Sequence, residues 1–295
     1  MKAKTTITSM KVKKTMPDVN VTSLPSAERR GEVLFSANNL AVGYAGKAIL
    51  PPISFSFRRG EVTAILGRNG SGKSTLMKTL LGELPPVIGT VRREVPQMKV
   101  ALMPQTRDLD FQLPVTVREF VSWGALNGMN FLRRPWTSRQ ERARVEESLS
   151  ALGLSAMGDS FLNELSEGQQ QRVLFARILA TDADAALLDE PTAAMDAVFQ
   201  REVVELLSRT ACERGLAVVI ITHALELVGS LADSVIFLDA DSGTVLCGPK
   251  DEVWGSAAFR DKFKGASGTG KGLPAQNSPA SASAASDKIQ EVRHG

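Results

Sequence analysis

Cysteine and histidine each occur twice in 295 residues and tyrosine once, and these shortages narrow what the chain can do. Cys212 and Cys247 lack the C-x-x-C spacing and fall in segments that read as a helix end and a strand, so buried free thiols in a reducing cytosol are expected. The apolar runs are short, such as 216–221, far below the eighteen or so residues a bilayer-spanning helix needs. The chain is not expected to cross a membrane by itself. No apolar stretch of seven or more follows the N-terminal lysines, which argues against a secretory signal. A hydrophobic content of 43% still suffices for a buried core, with room for one large domain or two modest ones.

Net charge is also low. The net is +3, and most of it lies in residues 1–33, where seven basic side chains outnumber three acidic ones, leaving −2 for 34–264. The body is nearly neutral, and no nucleic-acid partner is expected. The basic tail suits either a solvated, disordered segment or a weak contact with anionic lipid; Met10 or Met16 stands as an alternative start. From Gly265 the chain runs GASGTGKGLPAQNSPASASAAS, which offers too little apolar mass to offset the entropy of ordering it, so 265–295 is expected to be a disordered tail.

Between the tails, apolar strand-like segments recur near 34–36, 53–57, 62–66, 100–103, 185–188, 218–222 and 235–238. Helical patterns separate several of them, which predicts an α/β fold with mostly parallel strands. Residues 106–164 break the rhythm with no convincing strand. A helix is predicted from Ser138, where Glu141 three positions on completes a capping box, and Val145, Leu149 and Leu152 give that helix its apolar stripe. The segment reads as a helical insertion holding Phe111, Phe120, Trp123, Phe131 and Trp136, five of the sixteen aromatics. They could form the core of the insertion or line a groove for a partner helix.

Gly67-Arg68-Asn69-Gly70-Ser71-Gly72-Lys73-Ser74-Thr75 fits G-x-x-x-x-G-K-S between a predicted strand (62–66) and a predicted helix (75–81). That context makes it a nucleotide phosphate cradle. Glycines let backbone N–H groups converge on phosphate oxygens, the helix turns its positive end toward them, and Lys73 adds a charge. The Ser74 hydroxyl is suited to the Mg²⁺ that accompanies a nucleotide. One such loop is present, with no internal repeat and no guanine-reading N-K-x-D.

About a hundred residues later comes Leu165-Ser166-Glu167-Gly168-Gln169-Gln170-Gln171-Arg172, followed by Arg177-Ile178-Leu179-Ala180 and Leu187-Leu188-Asp189-Glu190-Pro191-Thr192. Taken alone, Ser166 and Gln169 read as a helix N-cap and capping box. With the phosphate loop upstream, the set resembles the L-S-G-G-Q signature and strand-end acidic pair of ATP-binding cassette (ABC) proteins, over roughly residues 34–262. The resemblance implies a P-loop NTPase core with a mostly parallel sheet, an antiparallel β subdomain and a helical insertion at about 106–180, within a nucleotide-binding domain spanning 34–264. It also implies ATP and Mg²⁺ as ligands.

Residue by residue, the resemblance implies that Asp189 and Gln105 join Ser74 around Mg²⁺, that Glu190 accepts a proton from the attacking water, and that His223 contacts the γ-phosphate. Tyr44 resembles the aromatic that stacks on adenine, the alternative being a core tyrosine in the first sheet. Gly67 to Thr75 would hold the phosphates, and Ser166, Gly168 and Gln169 those of a second copy, in a head-to-tail dimer enclosing ATP. Asp196 matches a partner-contacting aspartate. Glu167 departs from the commoner glycine, and its carboxylate is expected to point away from the nucleotide. The family implies integral membrane permease subunits as partners, a substrate-binding protein for an importer, and a peripheral position on the cytoplasmic face of the inner (plasma) membrane. Residues 111–117, Phe-Gln-Leu-Pro-Val-Thr-Val, resemble those of metal-ion, iron-chelate and cobalamin importers. A soluble ABC-type ATPase or an exporter ATPase stands as the alternative.

Overall fold

A computed structural model describes residues 31–105, 109, 111–125, 138–192 and 195–263. Residues 1–30 and 265–295 of the expected tails, as well as Phe131 and Trp136, lie outside the described residues; the expected N-terminal tail is two residues too long, because Glu32 accepts from Arg59 and Val33 opens the first strand. Strand β1 (Val33–Ala41) runs into a small hairpin of β2 (Gly43–Tyr44) and β3 (Lys47–Ala48), and β4 (Ile53–Arg58) returns beside β1. Strand β5 (Val62–Gly67) and helix α1 (Lys73–Leu81) flank the phosphate loop, followed by β6 (Ile88–Arg93) and β7 (Val100–Met103). Helices α2 (Val117–Ala125), α3 (Arg139–Ala151) and α4 (Glu167–Ala180) precede β8 (Ala185–Asp189). Then α5 (Ala197–Arg214), β9 (Ala217–Thr222), α6 (Leu225–Leu231), β10 (Ser234–Asp239), β11 (Thr244–Pro249), α7 (Lys250–Gly255) and α8 (Ala257–Phe263) complete the order.

The main sheet has the order β11-β10-β5-β9-β8-β7, parallel throughout except for β11. Strands β5 and β9 are buried at every position, which is why both read as continuous apolar runs rather than alternating ones. A second, antiparallel sheet orders β4-β1-β6, so the structure has the α/β architecture expected. The seven strands anticipated from the sequence all form. Four further strands are not among them, the two-residue β2 and β3 and the edges β6 and β11: β6 is largely exposed and reads Ile-Gly-Thr-Val-Arg-Arg, and β11 ends on Gly-Pro. Such edges carry little hydrophobic periodicity.

The sheet faces bury two large apolar clusters. One joins Met103, Leu188 and Ile220 to the helical region through Val121, Leu149 and Phe175; the other joins Ile65, Leu187 and Val219 to Leu76 and to Phe35 and Phe57 of the antiparallel sheet. Within the first cluster lie Phe111 and Phe120, so these two aromatics are core, while Trp123 stays 40% exposed. The capping box of α3 forms as predicted, Glu141 N donating to Ser138 Oγ at 3.1 Å and Ser138 N to Glu141 Oε2. Val145, Leu149 and Leu152 are buried.

The expectation of two buried thiols is half corrected. Cys212 is exposed, because it falls on the solvent side of α5, whereas the enclosed Cys247 thiol is pushed up to about 12 by burial.

Helix α8 is tied to the end of β10. Lys262 Nζ donates to Asp239 Oδ1 at 2.8 Å and Asp241 Oδ2 at 3.0 Å. Burial pushes the Asp239 carboxyl upward, but hydrogen bonds from Lys262 and Ser242 outweigh it and hold the group below the ordinary carboxylate range. A depressed carboxylate stabilises the fold above its unfolded pKa and loses that contribution as pH falls through the folded value. Thermal unfolding of Lys262→Met should therefore lie a few degrees below wild type at pH 6, with the gap closing below about pH 4. A pH-independent gap would assign the loss to packing instead.

Candidate active site

Parallel register brings the site together. Leu66 pairs with Thr222, and Ile221 with Asp189, so the carboxyl ends of β5, β9 and β8 lie side by side and release their chains at one edge. The phosphate loop leaves β5, His223 follows β9, and Asp189 and Glu190 end β8. A cleft of about 750 Å³ opens there, lined by Asn69, Gly70, Gly72, Lys73, Ser74 and Thr75 of the loop, with Asp189, Glu190, His223, Gln105 and Tyr44 around them. Crevices at this edge are where open α/β sheets bind ligands.

Glycine is required at specific points of the loop. A Cβ on Gly67 would stand 2.3 Å from Ser71 Oγ and 2.6 Å from the Leu238 carbonyl. Gly72 adopts φ +95 and caps α1, a conformation other residues rarely adopt. The N-terminus of this nine-residue helix faces the cleft with no acidic residue in its first turn, so its dipole favours an anion there. Lys73 is buried and donates to the Gly67 carbonyl at 2.8 Å and the Arg68 carbonyl at 3.0 Å. Burial pulls its ammonium below the ordinary lysine range, opposed by the charges of Glu190 and Asp189. Arg68 itself points outward, 3.6 Å from Asp241, and is not among the cleft-lining residues. Ser71 is buried, with its Oγ lying against Gly67 rather than in the cleft.

Opposite the loop, His223 Nδ1 lies 3.0 and 2.8 Å from the two Glu190 carboxylate oxygens. The Glu190 side chain is 13% exposed and that of His223 68%. Glu190 has φ +50, in the left-handed region that a non-glycine residue visits at a cost of about 1–2 kcal/mol. Its N–H donates to the Ile221 carbonyl at 2.9 Å. Nothing in the sequence signals this strain. Tyr44 sits on the β2–β3 hairpin, 53% exposed at the cleft mouth, its hydroxyl accepting from Thr75 Oγ1 at 3.3 Å. The alternative of a core tyrosine is thereby ruled out. Sequence reasoning missed Ile49, which lines the cleft beside Gly72; an isolated apolar residue carries no signal.

Ser166, Gly168 and Gln169 lie elsewhere. They line a separate recess of about 330 Å³ with Met195, Asp196 and Phe199, so Ser166, Gly168 and Gln169 are not among the residues that line the cleft of their own phosphate loop. Two long helices begin at that recess. Ser166 caps α4, Gln169 N donating to its Oγ at 3.4 Å and Ser166 N to Gln169 Oε1 at 2.9 Å; Asp196 caps α5, accepting from Val198 N and Phe199 N at 3.0 and 2.9 Å. Glu167 differs from expectation. It avoids the recess, yet it borders the chain's own phosphate cleft, because it leaves the first turn of α4 on the other side from Ser166 and Gly168. Its exposure lets water solvate the charge.

Comparison with known proteins places the chain in a family. The sequence profile of the ABC transporter family matches residues 50–193. The chelated iron transport system membrane protein YfeB of Yersinia pestis is 37% identical over 210 residues, covering 68% of this chain and 70% of that protein. The zinc transport system ATP-binding protein TroB of Treponema pallidum is 35% identical over 207 residues, covering 68% of this chain and 77% of that protein. Among solved structures, the dimeric form of a bacterial ABC transporter cassette matches with TM-score 0.59 and 27% identity, covering 70% of this chain and 95% of that one. The chain belongs to the ABC transporter family of ATP-binding subunits. It is an ATPase whose ATP turnover is coupled to transport. Among the described residues no helix is long and apolar enough to cross a membrane.

Proposed function

We propose that the chain is the ATP-hydrolysing subunit of an importer for a metal ion or metal chelate, working as a head-to-tail pair on separate membrane permease subunits. The observation that carries this reading is the division of the nucleotide machinery: phosphate loop, acidic strand end and His223 share one cleft, while Ser166, Gly168 and Gln169 open onto another recess and only Glu167 of that helix end borders the cleft. A second copy is the simplest source of the missing half. Residues 34–264 act as the nucleotide-binding unit, with 106–180 as its helical insertion.

Within the cleft, Gly67 to Thr75 hold the phosphates through backbone N–H groups and Lys73, while Tyr44 stacks on the adenine. Arg68 and Ser71 serve by shaping the loop. Ser74, Asp189 and Gln105 supply oxygen donors of the kind Mg²⁺ takes, and all three line the cleft; the ion neutralises phosphate charge when bound. Glu190 accepts a proton from water aimed at the γ-phosphorus. His223, within hydrogen-bond reach of that carboxylate, orients it and meets the γ-phosphate. In the dimer, Ser166, Gly168 and Gln169 of the partner cover the same triphosphate, with the α4 helix end toward its charge. The bridge disappears when the γ-phosphate leaves, and the pair opens.

The exposed face of the insertion around Trp123 is where that motion reaches the permease, at the cytoplasmic face of the membrane. The names of the relatives, zinc and chelated iron transport systems, favour import of a metal or chelate over an exporter or a soluble ATPase, and a substrate-binding protein would then complete the system. Purification from membranes, with mass spectrometry of bound partners, tests this: a hydrophobic permease supports it, and quantitative recovery without any membrane protein refutes it. For the adenine contact, Tyr44→Ala should raise the KM for ATP roughly tenfold while kcat stays within about twofold, the scale of one stacking interaction. An unchanged KM would remove Tyr44 from the site.

A further inference from the structure

The left-handed backbone at Glu190 needs something to hold it, because an unfavourable conformation persists only where its surroundings over-determine it. The Glu190 N–H is held by Ile221. The next residue, Pro191, has no N–H, so its carbonyl is the only backbone hydrogen-bonding group it offers. That carbonyl accepts from Nε2 of Gln171, a side chain buried to 1% exposure in the second turn of α4. Just beyond, Gln200 of α5 donates from Nε2 to the carbonyls of Thr192 and Met195 at 3.1 and 3.2 Å. Arg172, beside Gln171, stacks over the Phe199 ring of α5 at 3.7 Å. The segment that leaves Glu190 is therefore strung between α4 and α5 by two amide side chains, and the two helices are clamped to each other.

We propose that Gln171 is a positioning residue: it fixes the Glu190 backbone by holding the Pro191 carbonyl, and so ties the carboxylate to the same helix that Ser166 caps. The inference rests on the reading of Glu190 as the base. Gln171 is buried and does not line the cleft. A shift of α4, such as closure of a partner copy on the Ser166 recess would impose, moves the Pro191 carbonyl and with it the carboxylate. Each copy's proton acceptor is thereby brought to its working position only when that copy's own α4 is seated.

The test is Gln171→Met, which keeps length and removes the donor, together with Gln171→Asn, which keeps the amide but falls one methylene short. Both should lower kcat for ATP hydrolysis at least tenfold, since small displacements of a reacting group are costly, while KM for ATP stays within about twofold. Gln171→Met placed in Glu190→Gln should leave the slow single-turnover hydrolysis of that variant unchanged and its ATP-dependent dimer intact. Wild-type kcat in both single variants would overturn the proposal. So would an equal fractional loss from Gln171→Met in the Glu190→Gln background, because Gln171 would then act independently of Glu190. Loss of the ATP-dependent dimer in that background would instead place Gln171 in the seating of α4, and would overturn it as well. Normal turnover by Glu190→Gln alone identifies a failure of the base assignment rather than of Gln171.

Discussion

Glu190→Gln is expected to bind ATP with near wild-type affinity, to accumulate as an ATP-bound dimer and to lose turnover by roughly 10²- to 10⁴-fold, the contribution of a positioned general base. The substitution changes neither shape nor the hydrogen-bond reach to His223, at 2.8–3.0 Å, so binding and closure are left intact. What disappears is the proton acceptor. Removing one negative charge also lessens repulsion of the triphosphate, which favours the closed pair further. Size-exclusion chromatography with and without ATP, beside phosphate release, reads both effects. Unchanged hydrolysis would take the base role away from Glu190, and loss of nucleotide binding would show that its carboxylate serves the fold of the strand end.

Lys73→Ala should abolish tight nucleotide binding. The ammonium is buried and held at the loop carbonyls, 2.8 and 3.0 Å away, where it stands among the backbone groups that meet a phosphate. Burial lowers its pKa and the charges of Glu190 and Asp189 oppose that shift, so an arriving polyanion stabilises the charged form further. Two charge-assisted hydrogen bonds at about 1.5–3 kcal/mol each amount to at least a hundredfold in affinity. Fluorescent-nucleotide titration or calorimetry measures it. An unaltered dissociation constant would contradict the cradle. The loop should survive the change, because its turn rests on Gly67, Gly70 and Gly72, two of which have positive φ, and on burial of Leu76 and Leu80 beneath α1.

Much of this molecule was legible from residue order because its chemistry is local in sequence. The phosphate loop needs small residues and one lysine at set intervals between a strand and a helix, and the structure places β5 and α1 on either side. The capping boxes at Ser138 and Ser166 are likewise satisfied within four residues. Asp189 and Glu190 could be assigned to a strand end because Ala185 to Leu188 are apolar throughout. Where the signal failed, the cause was context. Cys212 sits late in a helix whose solvent face is set by packing; Glu167 looks to one side or the other according to the roll of α4; β6 is an exposed edge without a period.

Sequence alone determined which groups are available and which local turns they make, since hydrogen bonding over three or four residues and steric freedom at glycine do not depend on distant chain. Only the tertiary structure decided which of those groups meet. The parallel register of β5, β9 and β8 sets His223 against Glu190, residues 33 positions apart, and the packing of α4 on the strand-end loop delivers Gln171 to Pro191. It also set Ser166 on a recess other than the phosphate-loop cleft. Such meetings arise from burial of apolar faces across the whole domain, a driving force without direction of its own that no short stretch of residues encodes.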